Sequence, residues 1–177
     1  MQKTGIKAKN LNVKTLLLIR HAKSSWATPG LDDFDRPLNE RGKQDAPEMA
    51  DRLLKRKIKI NAFISSPAKR AQKTATRFLK AYGFDKGDVI LAENLYHANE
   101  EDFLEVIENA KKKWNVIALF SHNPGITSFA SSLTDINIDN MPTCSVFAVQ
   151  VDTDDWAQFS TSSKSFLFFD YPKSNQV

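Results

Sequence analysis

With 177 residues, 41% of them hydrophobic and 26% charged, the chain has the length and balance of one globular domain with a sizeable core, and it has no apolar run of membrane-spanning length. The net charge of +4 is spread along the chain, so a nucleic-acid surface, which needs clustered cations or interleaved aromatics, is not expected, and neither is a membrane partner. One cysteine, Cys144, excludes an intramolecular disulfide and points to a reducing, cytoplasmic setting.

In chain order, residues 1–13 are basic and lack the apolar core of a secretory signal. They are expected to be a disordered tail, followed by a single domain over 14–173. Leu16–Ile19 is a continuous apolar run, as in a strand buried on both faces. A helix opens at Asn39 or Gly42, with Ala46, Met49, Ala50, Leu53 and Leu54 at helical spacing and Pro47 placed in its first turns. The basic cluster Lys55–Lys59 is its solvated end. Ala62–Ser65 reads as a second buried strand. The next helix has Ser66 as N-cap, Pro67 at its first position and Gly83 past its end.

"DVILAENL" is a third strand. "NEEDFLEVIENAKKK" is a helix with acids first and Lys111–Lys113 in its last turn, matching the helix dipole. "WNVIALFS" is a fourth buried strand and "HNPGITSFASSLT" a short helix. "CSVFAVQV" and "SKSFLFFDY" are late strands forming an antiparallel pair. Cys144, at the mouth of that apolar run, is read as a half-buried structural thiol rather than a nucleophile. The alternation implies an α/β domain in which a mostly parallel central sheet lies between helices.

Such sheets bind ligands beyond the carboxyl ends of their strands. At those ends stand Arg20 and His21, then Ser65, Ser66 and Arg70, then Ser121 and His122. Two of the three histidines and two arginines therefore gather at one sheet edge. Guanidinium forks bind phosphate bidentately, and a helix N-terminus behind Ser66–Pro67 adds to the cradle. With no glycine-rich phosphate loop, side chains must hold the anion. No metal-ligand spacing exists among three histidines and one cysteine, so neither a metal nor another cofactor is expected. An imidazole in such a cradle serves either as a neutral nucleophile or as one more cation on the transferring oxygens.

"LIRHAKS", "SSPAKRAQKTA" and "FSHNPGI" resemble the histidine phosphatase superfamily, and "DFDRPLNERG" with the short chain resembles its SixA-like phosphohistidine phosphatases. The resemblance runs from about Lys14 to Pro172. It implies the three-layer α/β/α phosphoglycerate mutase-like fold and a covalent phosphohistidine intermediate on His21. Arg20, Arg70 and His122 then form the phosphate pocket. Arg36 either approaches the bound oxyanion, as in the SixA-like branch, or pairs with Asp33 or Asp35 on a surface loop.

Two departures stand out. Ala22 replaces the glycine common after the histidine, which matters if that position needs positive φ. No residue matches the carboxylic acid that protonates the leaving group in larger relatives. Asn123 follows the second histidine, and Glu93, Glu100 and Glu101 qualify by location only, with helix-capping or surface roles as the alternative. His97 is read as a loop residue outside the pocket, or else a rim contact to substrate. An imidazole can leave a phosphoramidate already protonated, so the missing acid favours a phosphohistidine-bearing protein as partner and substrate. The alternatives are a phosphatase for small phosphorylated substrates and a non-catalytic phosphate- or phosphoprotein-binding module. A phosphoglycerate mutase fits less well, for want of the acid and a lid segment.

Overall fold

Alternate residues of the first strand, β1 (Lys14–Arg20), face opposite ways, and both faces are apolar. Leu16 and Leu18 join one core; Leu17 and Ile19 join another. The computed structural model describes residues 13–174. Over them the elements run β1, α1 (Glu40–Lys55), β2 (Ala62–Ser65), α2 (Lys69–Ala81), β3 (Val89–Leu91), α3 (Glu100–Glu108), β4 (Val116–Ser121), α4 (Gly125–Leu133), β5 (Val146–Val151) and β6 (Lys164–Asp170). One six-stranded sheet has the order β3-β2-β4-β1-β5-β6. The first four of these strands are parallel, while β5 is antiparallel to β1 and to β6. Helices α1 and α2 cover one face through Met49, Leu53 and Phe78; α3 and α4 cover the other through Phe103, Ile107 and Phe129. This is the expected α/β architecture, with a mostly parallel sheet between two helical layers. The expected tail lies outside the described residues, apart from Val13. Among the described residues no helix is long and apolar enough to cross a membrane.

Several local expectations need correction. Asn39 is the N-cap of α1, its side chain accepting from Gly42 N at 2.9 Å, but Pro47 sits in the middle of the helix rather than its first turns. The backbone bond that proline forfeits would have gone to Lys43, on the exposed side, where solvent can replace it. Leu54 is 38% exposed because it falls just off the buried stripe of Ala46, Met49, Ala50 and Leu53. Helix α2 starts two residues late, with Ala68 as an N-cap lacking a side-chain bond; the Ser66 hydroxyl accepts from Ala68 N at 3.3 Å and also meets His122. Gly83 does follow α2, with φ +79°. Helix α3 is capped by Asn99 and ends at Glu108, so Lys111–Lys113 form an exposed turn before β4 and do not complement its dipole.

The amino end of β1 holds a feature absent from the sequence reading. Lys14 is 2% exposed, and its Nζ donates to Lys112 O (2.7 Å) and Trp114 O (2.9 Å) beneath the Trp156 ring. At the carboxyl end, α1 packs so tightly on the segment after His21 that a Cβ on Gly42 would lie 2.1 Å from Lys23 O. Only a glycine permits that approach, which anchors the chain leaving the strand.

Candidate active site

Four backbone bonds fix where β1 ends. Arg20 N donates to Ser145 O (3.2 Å) and His21 N to Ser121 O (3.0 Å), while Cys144 N reaches both Arg20 O and His21 O (3.1 Å each). Cys144 takes φ +63° to do so. Its thiol is fully buried and pushed up by that burial, so it is structural as expected, though more deeply enclosed than half-buried. Ala22 N donates to Thr74 Oγ1 (2.9 Å), whose hydroxyl donates in turn to Arg70 O (2.7 Å), tying β1 to α2. Ala22 needs no glycine: among the described non-glycine residues, positive φ occurs at Lys57, His97 and Cys144.

Above this frame lies a cavity of about 380 Å3 lined by Arg20, His21, Lys23, Ser24, Trp26, Asp33, Arg36, Arg70, His97, His122, Asn123 and Thr143. The rings of His21 and His122 are 5.0 Å apart. His21 Nδ1 lies 2.8 Å from Ala22 O, and a carbonyl can only accept, so Nδ1 carries the proton. Nε2 of the neutral ring then carries the lone pair, which accepts from Arg70 Nε at 3.3 Å. His122 Nε2 meets Ser66 Oγ at 2.7 Å. Among the described residues, three buried side-chain nitrogen or oxygen atoms have no partner, and two of them, Arg20 Nε and His122 Nδ1, belong to this site. An unpaired buried donor on the Arg20 cation is costly to keep, and an oxyanion would satisfy it.

Burial, more than the arginines, keeps both imidazoles neutral. It lowers His21 to about 3, against the raising effect of the Ala22 carbonyl, with the charges of Arg70, Arg20 and Arg36 adding to the fall. Burial also lowers His122 to about 2, helped by His21 and Arg70 and opposed by Asp33. Asp33 is the acid that sequence reading passed over. Its carboxylate accepts from Arg36 Nη1 (2.9 Å), Arg70 Nη2 (2.9 Å) and the Tyr96 hydroxyl (3.1 Å). Burial would raise it, but the Arg36 and Arg70 bonds and charge hold it at about 2, fully ionised near neutrality.

The predicted residues Arg20, His21, Arg70 and His122 thus meet in one cavity. Arg36 lines the cavity and pairs with Asp33, though it is buried rather than on a surface loop, and it donates to Ser24 Oγ and stacks 3.3 Å above the Trp26 ring. His97 stands at the rim instead of outside, its ring centroid 4.0 Å from that of Tyr96. The expected helix N-terminus does not contribute, since residues 66–69 do not line the cavity; Ser66 acts through His122. Glu100 lines an adjoining groove, and Glu101 shares the first turn of α3 with it; Glu93 opens a 3-10 turn, and neither Glu93 nor Glu101 lines the cavity. Asp33 and Thr74 left no periodic signal, although the short spacing from Asp33 to Arg36 hinted at an ion pair. Among the described residues no group of three or more His, Cys, Asp or Glu is placed to hold a metal ion.

A parallel-sheet domain with paired histidines inside an arginine cradle is a class built to handle phosphoryl groups. Residues 16–99 match the histidine phosphatase superfamily (branch 1), the fold agrees over nearly the whole chain, and the protein belongs to that superfamily. A candidate phosphohistidine phosphatase SixA from Agrobacterium tumefaciens is 28% identical, with a TM-score of 0.71 over 90% of this chain and 98% of that one. An uncharacterised chloroplastic protein of Arabidopsis thaliana is 29% identical over 153 residues, 82% of this chain and 70% of its own length. A 2,3-bisphosphoglycerate-dependent phosphoglycerate mutase of Mesorhizobium japonicum is 32% identical over 107 residues, covering 57% of this chain but half of the mutase.

Proposed function

We propose that the protein is a metal-independent phosphohistidine phosphatase, acting on a phosphohistidine-bearing protein through a covalent intermediate on His21. The observation that carries this reading is the orientation of His21: Nδ1 is tied to Ala22 O, so Nε2 carries the lone pair, in a cavity that also holds the unpartnered Arg20 Nε and His122 Nδ1. In the first step Nε2 attacks phosphorus, and the bond from phosphorus to the substrate imidazole breaks with its electron pair going to that imidazole. Arg20, Arg70 and His122 hold the non-bridging oxygens, with Arg36 behind them. In the second step water attacks the phosphoryl group on His21, the new P–N bond breaks, Nε2 regains its lone pair and inorganic phosphate departs.

The leaving group decides the substrate class. Asp33 is the one carboxyl lining the cavity, and it is held ionised by its arginines, so it has no proton to give an alkoxide. An imidazole already protonated at its other ring nitrogen leaves neutral and needs none from the enzyme. The likeness to the Agrobacterium SixA protein over almost its full length supports the same reading. Phosphate esters are the second reading, favoured by the partial likeness to a mutase.

The test is hydrolysis, in chelator, of a phosphohistidine protein beside an alkyl phosphate and aryl phosphates of graded phenol pKa. The alkyl ester should be slower by about two to four powers of ten, the usual contribution of general acid catalysis. A flat series, or activity that returns only with added metal, would defeat the proposal.

A further inference from the structure

All three guanidinium nitrogens of Arg70 are already engaged within this chain: Nε with His21 Nε2, Nη1 with Asp33 O and Nη2 with Asp33 Oδ2. Those of Arg36 are engaged too, with Ser25 O, Asp33 Oδ1 and Ser24 Oγ. One carboxylate therefore spans both forks that would clamp a phosphoryl group. The two cations are buried, their side chains 6% and 10% exposed, whereas the Asp33 side chain is 41% exposed. The carboxylate thus covers the arginines from the solvent side, where a substrate must approach. It is carried on a 3-10 turn, Asp33–Asp35, within the long connection between β1 and α1.

A carboxylate and a phosphoryl group compete for the same donors, because a fork accepts one planar pair of oxygens at a time. Two anions held side by side in a partly buried cavity also repel. We infer that Asp33 is a positioning residue that acts as an internal competitor: it holds the forks of Arg70 and Arg36 in register when the cavity is empty, gives way to the entering phosphoryl group, and returns as inorganic phosphate leaves. The apparent affinity for any anion is then reduced by the population in which Asp33 occupies the forks. The consequence is weak product inhibition, obtained without weakening the forks themselves.

The inference rests on the cavity being the phosphoryl site. Binding of inorganic phosphate and of an aryl sulfate, a singly charged mimic of an aryl phosphate, is measured by calorimetry for the whole protein and for Asp33→Asn and Asp33→Ala. Asp33→Asn keeps the shape and one acceptor oxygen, enough for Arg36 or for the Arg70 and Tyr96 side but not for both, and removes the charge. It should bind both anions at least about tenfold more tightly, by a common factor, because the same carboxylate is displaced in each case. Asp33→Ala should also tighten binding, though less, since the forks lose their guide. Stronger product inhibition should accompany both variants.

A purely structural Asp33 predicts the reverse, with Asp33→Asn close to wild type and Asp33→Ala binding anions more weakly; that outcome overturns the inference. So does tightening much larger for the dianion than for the monoanion, which would mean that Asp33 stays in place and repels. A folded wild-type protein that binds no phosphate at all would bring down the reading of the cavity itself, before Asp33 is touched.

Discussion

The two ends of β1 each carry a cation, and they are treated oppositely. At the amino end, Lys14 is closed off: two backbone carbonyls and an indole face consume its donors. At the carboxyl end, Arg20 donates to Met141 O at 2.7 Å but keeps Nε buried and unpaired. The strand between them is the same apolar run. Lys14 is buried and Arg20 half-buried, and what separates the cation that holds the fold from the one that serves a ligand is also the completeness of its partners. Each buried donor left unpaired costs about 1–3 kcal/mol, which an oxyanion would relieve.

Substitution at the carboxyl end should therefore strike chemistry. The largest effect is expected for His21→Ala, with turnover down by three or more powers of ten while inorganic phosphate still binds, since the arginines remain. Single-turnover and binding measurements together check this; near-normal rates would remove His21 as nucleophile. Arg20→Ala comes next, at about two to three powers of ten in kcat, the usual loss of one oxyanion donor, and Arg20→Lys should restore only part of it because a point charge replaces a planar fork. Lys14→Met inverts the pattern: kcat/KM within about twofold of wild type, but stability lower by about 1.5–3 kcal/mol in denaturant titration, from two lost charge-assisted bonds. A Lys14 variant that lost activity at full stability would erase the contrast between the two ends.

A gentler probe is pH. His21 and His122 have folded pKa values near 3 and 2, below the ordinary 6.5 of the unfolded chain. Below about pH 6.5 the unfolded state takes up protons that the folded state refuses, so stability falls as pH drops from there toward 3. A bound oxyanion favours the charged imidazoles and should flatten that fall. The stabilisation of the melting temperature by tungstate should thus grow from pH 7 to pH 5; curves that stay parallel would show that the anion binds away from the histidines. Smallest of all, Cys144 should resist iodoacetamide in the folded protein and react once denaturant exposes it, with activity untouched until then.

Most of the site was legible because β1, β2 and β4 are short apolar runs with abrupt polar ends. An abrupt end in a parallel sheet points at a ligand, so Arg20, His21 and His122 stood out, and Arg70 followed from its place early in α2. Asp33 did not, because a loop acid among Asp32, Asp33 and Asp35 carries no periodic signature, and beyond the nearby Arg36 its partners Arg70 and Tyr96 are remote in sequence. Lys14 was hidden for a similar reason: its partners are main-chain carbonyls nearly a hundred residues away. The start of α2 was misplaced because Ser66, a good cap by type, spends its hydroxyl on His122.

The strand order has a consequence for how the protein is made. β4 lies between β1 and β2, so the first two strands to leave the ribosome cannot pair with each other. β1 ends at Arg20 and β4 at Ser121, and at ordinary elongation speeds of about 5–20 residues per second the wait between them is on the order of 5–20 s. Throughout that interval "LLLI" has no neighbour in the sheet to cover its backbone. A nascent chain stalled within α3 should be captured by chaperones and cut readily by proteases, and one stalled well past α4 should resist both.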